Sequence, residues 1–205
     1  MADLYLTLEQ LEVLFWKVTM QMLGYTEAQI AAYNDPNNPK KDCPVRISWP
    51  AVGAPAWKRG DDVVFIRIGE DDDPINMLRD VVYEPKEDDP DTAVEQTGQT
   101  RVLRVHWVCY GPHAFDTASK IRRLLYTAKY RQPLSDNQIY LVPSTRAPVR
   151  APENFEGQWW DRADYSAQFN DLVQTNVDVP YIKSATVTVT NQKGKSSNAD
   201  VPPKD

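Results

Sequence analysis

Two runs of this chain alternate apolar and polar residues with a period of two, and that pattern restricts the fold more than any other feature. In "TRVLRVHWVCY", residues 100–110, Leu103, Val105, Trp107 and Cys109 fall on one face. In "APENFEGQWWDRADYSAQFN", residues 151–170, Trp159, Ala163, Tyr165, Ala167 and Phe169 fall on one side, with Asp161 out of step, and Trp160, Arg162 and Asp164 fall on the other. A period of two is that of a strand with one covered face. The run 151–170 is therefore read as one strand, with Trp159 in the core and Trp160 at the surface. A helical reading groups Phe155, Trp159 and Ala163 but strands Tyr165 among polar residues.

Helices must supply the cover. Thr7 with Gln10, and Thr26 with Gln29, both spell capping boxes, with Leu6/Leu11 and Tyr25/Ile30 as hydrophobic staples. Leu8, Leu11, Phe15, Val18 and Met22 make one helical stripe, which Gly24 ends. The second helix runs to about Tyr33, before Pro36, Pro39 and Pro44. A third begins after "YGP", with Pro112 at its first position and a stripe of Ala114, Ala118, Ile121 and Leu125. Lys120, Arg122, Arg123, Lys129 and Arg131 lie in its C-terminal half, where cations favour the helix dipole. "VVFIRI" (63–68), "RDVVYE", "NQIYLV" and "ATVTVT" read as further strands. The sum is an α+β fold: a mainly antiparallel central sheet with an N-terminal helical hairpin and one further helix packed on it. One domain is expected through residue 190, with 191–205 as a flexible, disordered tail of small polar residues.

Composition narrows function. A net charge of −6 and a pI near 5.0 argue against binding driven by nucleic-acid phosphates. Two cysteines, Cys43 and Cys109, do not make a disulfide framework and suit a reducing compartment. No signal peptide and no membrane-spanning run is read. His106 and His113 have no partner at metal-ligand spacing, so neither a metal nor a cofactor is expected. The runs Glu70–Asp73 and Glu87–Asp89 raise a metal-dependent phosphodiesterase as one alternative, but consecutive carboxylates in a loop cannot converge on one ion. They are read as solvated acidic loops. Trp160 beside Arg162 raises a sugar-binding platform as another alternative. A protein interface is the preferred reading, because exposed Trp and Arg are enriched there.

Three blocks carry a family resemblance: "PVRISWPAVGAPAWKRGDDVVFIRI", "HWVCYGPHAFDTASKIRRLL" and "APVRAPENFEGQWWDRADYSAQFN", within residues 44–170. Their combination, "YGP" leading into a helix followed by "PE-F-GQWW-R-D", resembles the neck or tail terminator proteins of long-tailed bacteriophages. The resemblance implies a non-enzymatic virion protein of the tail or neck, assembled in the host cytoplasm. It implies a ring, commonly of six copies, that ends tail-tube growth and joins the tail to the head connector or head completion protein, with genomic DNA passing through its lumen. On that expectation Trp160, Arg162 and Asp164 are the candidate interface residues. Asp71, Asp72, Asp73, Asp88 and Asp89 are the candidate lumen or axial acids, since a negative channel wall repels phosphate.

Overall fold

The computed structural model describes residues 3–34, 42–48, 57–86, 88–89, 91–180 and 185–201. Pro36, Pro39 and Glu87, named above, lie outside them. Among the described residues four helices and eleven strands follow one another: α1 (Leu8–Leu23), α2 (Glu27–Tyr33), β1 (Val45–Ile47), β2 (Val63–Glu70), a 3-10 turn (Pro74–Met77), β3 (Asp80–Pro85), β4 (Thr92–Tyr110), α3 (Ala114–Leu125), α4 (Ala128–Ser135), β5 (Ile139–Leu141), β6 (Val149–Arg150), β7 (Glu153–Phe155), β8 (Gln158–Trp160), β9 (Arg162–Pro180), β10 (Ala185–Thr190) and β11 (Ser196–Val201). The main sheet has the order β1-β2-β4-β9-β5, with β3 added to β4 and β6 to β9. In it β2–β4, β3–β4, β5–β9 and β6–β9 pair antiparallel, and β1–β2 pairs parallel. This is the expected α+β architecture.

Contacts gather the chain into two compact units. One contains Tyr5–Leu78 and Thr100–Leu172, and so all four helices. The other contains Arg79–Gln99 and Val173–Asp205, with β3, the start of β4, the end of β9, and β10 and β11.

Local sequence explains the helices. Both capping boxes form: Gln10 N donates to Thr7 Oγ1 (3.3 Å) and Thr7 N to Gln10 Oε1 (2.9 Å), and Thr26 and Gln29 repeat the exchange. The α1 stripe is Leu11, Phe15, Val18 and Met22; Leu8, expected to belong to it, is exposed. As the first helical residue Leu8 lies at the end of the stripe, beyond the sheet's cover. Gly24 closes α1 in the left-handed conformation. The third helix is broken into α3 and α4, because Thr127 takes an extended backbone. Its N-cap is His113, so Pro112 lies one residue before the cap rather than at the first helical position.

The core lies between these helices and one face of the sheet. Leu103, Val105, Trp107 and Cys109 of β4 are buried, as are Ala163, Tyr165, Ala167 and Phe169 of β9 and Val64 and Ile66 of β2. Phe15 meets Phe169 edge to face at 4.9 Å. Trp107 stacks on Tyr165 at 5.4 Å, and its indole N–H donates to the buried Thr19 hydroxyl at 3.0 Å. The polar handle of a buried tryptophan is thereby satisfied. Asp171 is buried at 2% exposure and accepts two hydrogen bonds from Arg101, at 2.6 and 2.9 Å.

The end of the chain departs from the sequence reading. Ser196–Val201, expected in a disordered tail, pair antiparallel with β10. The turn Asn191–Gly194 sets this hairpin: the Asn191 side chain accepts from the amides of Lys193 and Lys195, and Gly194 has φ 75°. The strand beyond is polar, and so carries no apolar alternation to reveal it.

Candidate interaction surface

Burial of one face of β2, β4 and β9 assigns the other by alternation. It presents Phe65 and Arg67 from β2, Arg104, His106, Val108 and Tyr110 from β4, and Arg162, Asp164, Ser166 and Gln168 from β9. Phe65 lies opposite Val108 and Arg67 opposite His106. On this face an open groove of about 750 Å³ is walled by Trp57, Phe65, Tyr110 and the segment Arg146–Val149.

The candidate residue Arg162 is the hub of one end. Its Nε and NH2 donate to the two carboxylate oxygens of Asp164, both at 2.8 Å, and its NH1 reaches Glu153 at 3.3 Å. The Tyr110 hydroxyl donates to the same Glu153 oxygen at 2.8 Å. Hydrogen bonds to Asp164 hold the guanidinium charge above its ordinary range. Burial, with Glu153 adding to it, pushes the Tyr110 hydroxyl up to about 12. A fork-to-fork Arg–carboxylate pair is rigid, so Arg162 and Asp164 form a fixed charged element of the surface.

Glu153 belongs to a small hairpin, β7–β8, which the sequence reading did not contain. Its two-residue turn is Glu156–Gly157, both with positive φ, 50° and 76°. That is the turn whose twist matches paired strands. The hairpin reverses the expected places of the tryptophans. Trp159 is 65% exposed, whereas Trp160 is half-buried and packs on Trp57 at 6.0 Å. Trp57 in turn meets Phe65 at 4.9 Å and Tyr110 at 5.6 Å. The face parity counted back from Ala163 fails because Asp161 interrupts the strand: β8 pairs with β7 in a separate sheet, and β9 begins afresh at Arg162. The sequence signals that could have shown this were the Glu-Gly dipeptide centred between two short runs, and Asp161 itself, the residue out of step.

The acidic candidates separate by environment. Asp71 accepts from Arg104 Nε at 2.8 Å and NH2 at 2.5 Å, and from Gln168 Nε2 at 2.5 Å. Hydrogen bonding by Arg104 holds this carboxyl below its usual range. Asp73 caps the 3-10 turn, its Oδ1 accepting from the Ile75 amide at 3.0 Å. Asp72 and Asp88 are exposed. Asp89 is also exposed and accepts from the Asp91 amide and the Thr92 hydroxyl, so it shapes the turn into β4.

The "YGP" motif has a structural meaning. Gly111 has φ 109°, and a Cβ there would lie 2.5 Å from Asp62 Oδ1 and 2.6 Å from the Asp61 carbonyl oxygen. The loop 61–62 thus fits against a residue without a side chain. Asp62 also accepts from the His113 amide at 3.0 Å and pairs with His113 Nδ1 at 2.8 Å, which holds this imidazole above its ordinary range. His106 is shifted the other way, by burial and then by Arg67 and Arg104. Cys109 is buried, and desolvation pushes its thiol up to about 12, which removes it as a nucleophile at neutral pH. Among the described residues, no three His, Cys, Asp or Glu side chains are grouped to hold a metal ion. No described helix is long and apolar enough to cross a membrane.

The surface is thus one of fixed ion pairs, aromatic walls and exposed apolar hairpin residues, without a catalytic constellation among the described residues. A family described as phage neck terminator protein matches residues 9–193. The chain belongs to this family. Its role is therefore structural, in the neck of a bacteriophage tail. No curated protein matches the chain significantly. The match takes in the Gly111 junction, the β7–β8 hairpin and the groove of the neck terminator chain.

Proposed function

We propose that this neck terminator assembles with copies of itself into a ring, of six subunits, at the head-proximal end of the tail. The ring ends growth of the tail tube on one side and receives the head connector or head completion protein on the other. Genomic DNA passes through its lumen without specific binding. The family match over residues 9–193 carries this reading.

Two further observations support it. The net charge of −6 suits a channel through which a polyanion must slide. In the acidic run 71–73, Asp72 is the exposed side chain that fits a channel wall, since Asp71 and Asp73 are engaged within the fold. Exposed aromatic residues suit subunit contacts. Trp159 (65% exposed) and Phe155 (60%) take that role in place of the inward Trp160. Arg162 and Asp164 contribute as a preformed pair.

Imaging the purified protein by negative stain tests the assembly. The reading expects closed rings with a central hole. A uniformly monomeric protein at every concentration would rule the ring out.

A further inference from the structure

A closed ring of more than two copies requires two different, complementary surfaces on each subunit, because the contact is head to tail. Charge distribution marks two such surfaces. Residues 79–99 hold seven of the chain's 29 acidic residues and two of its 23 basic ones. Glu84 and Asp88, in β3 and the turn after it, are both exposed. The groove on β2, β4 and β9 has the opposite character. Arg67 and Arg146 are exposed at its wall, and His106 lies between β2's Arg67 and its own neighbour Arg104, which help to depress its protonation. Arg162 adds a third guanidinium, matched by Asp164. On an acidic chain, a groove lined this way is a local reversal of sign. Its aromatic wall includes Trp57, against which the half-buried Trp160 packs from outside the groove lining.

We infer that the Arg67–Arg146 groove of one subunit receives the acidic residues Glu84 of β3 and Asp88 and Asp89, between β3 and β4, of a second copy of this chain. The inference rests on the ring reading above and names the contact that would close it. It also places Asp88 and Asp89 at the subunit contact instead of the channel wall. Opposed charges at such a contact set its register and quicken association, and leave it sensitive to salt.

Charge reversal with rescue tests this, read by sedimentation velocity alongside a thermal melt of each variant. Arg67→Glu with Arg146→Glu should weaken self-association by about tenfold or more, the ratio that ~1.4 kcal/mol represents, with the melt showing the subunit still folded. Glu84→Lys with Asp88→Lys should do the same. The protein carrying all four changes should recover association, as should an equimolar mixture of the two double variants for at least one contact per pair. A second measurement does not depend on those variants: Arg146→Cys in one copy and Asp88→Cys in another should join through a short bismaleimide, giving a cross-link between different chains by mass spectrometry. Rings that persist unaltered in both double variants would overturn the contact while leaving the ring reading in place. Loss of association without rescue in the fourfold variant would overturn it too, as would a cross-link found only within single chains. A wild-type protein that never self-associates would overturn both.

Discussion

Arg104 donates to the Asp71 carboxylate from Nε, at 2.8 and 2.9 Å, and from NH2, at 2.5 Å, and the same carboxylate accepts from Gln168. A loop acid that the sequence offered as a free surface charge is thus the pin joining the 70–73 loop to β4 and β9. Arg104 holds the Asp71 carboxyl below its usual value of 3.8, so the folded state binds this proton less readily than the unfolded chain. The stability it contributes is present above that unfolded value and is lost as pH falls through the folded one. Asp71→Asn should cost about 1–3 kcal/mol at pH 7, and its deficit against wild type should shrink below about pH 4. Urea unfolding at the two pH values checks both. A deficit independent of pH would mean the charge of Asp71 contributes nothing. Asp72→Lys next door, at an exposed position, should stay within about 0.5 kcal/mol of wild type.

Gly111→Ala should be among the most damaging single changes outside the core. The new methyl would need a left-handed backbone and would collide with Asp61 and Asp62. A left-handed alanine costs about 1–2 kcal/mol and overpacking about 1–3. Chemical denaturation should therefore show a loss of about 2–5 kcal/mol, the sum of those two costs. A loss under about 0.5 kcal/mol, the size of a neutral surface change, would show that the 61–62 loop moves aside freely.

Three tryptophans should rank by their surroundings. Trp107→Ala removes a fully buried ring and leaves Thr19 unpaired, at a cost of about 3–5 kcal/mol. Trp159→Ala should stay within about 0.5 kcal/mol for the subunit. Trp160→Ala should fall between them, since its ring packs on Trp57. Thermal or urea unfolding of the three variants gives the order directly. A Trp159 variant as unstable as Trp107 would contradict the hairpin.

Much of this was legible before the structure. The two capping boxes, the buried faces of β4 and β9 and the helix after "YGP" follow from patterns confined to one element. Element boundaries failed where two elements were taken for one. A parity count crosses a strand but not a break, so Asp161 reversed Trp159 and Trp160. The helical pattern across 114–130 gave no sign of the turn at Thr127. The Asp71–Arg104–Gln168 cluster joins residues from three distant segments, and no local spacing encodes it. Charge alone suggested a solvated loop.

Thr7→Ala tests the reading at its most local. Loss of the acceptor for the Gln10 amide should cost about 1 kcal/mol, as N-cap truncations do. An unchanged urea midpoint would show that water replaces the threonine fully at this exposed end.

The function itself is most directly tested in the phage. Electron microscopy of particles made without this protein should show filled heads and separate tails that do not join, some of the tails overlong, and supplying the protein in trans should restore joined particles. Joined, infectious phage made in its absence, with tails of normal length, would contradict the account.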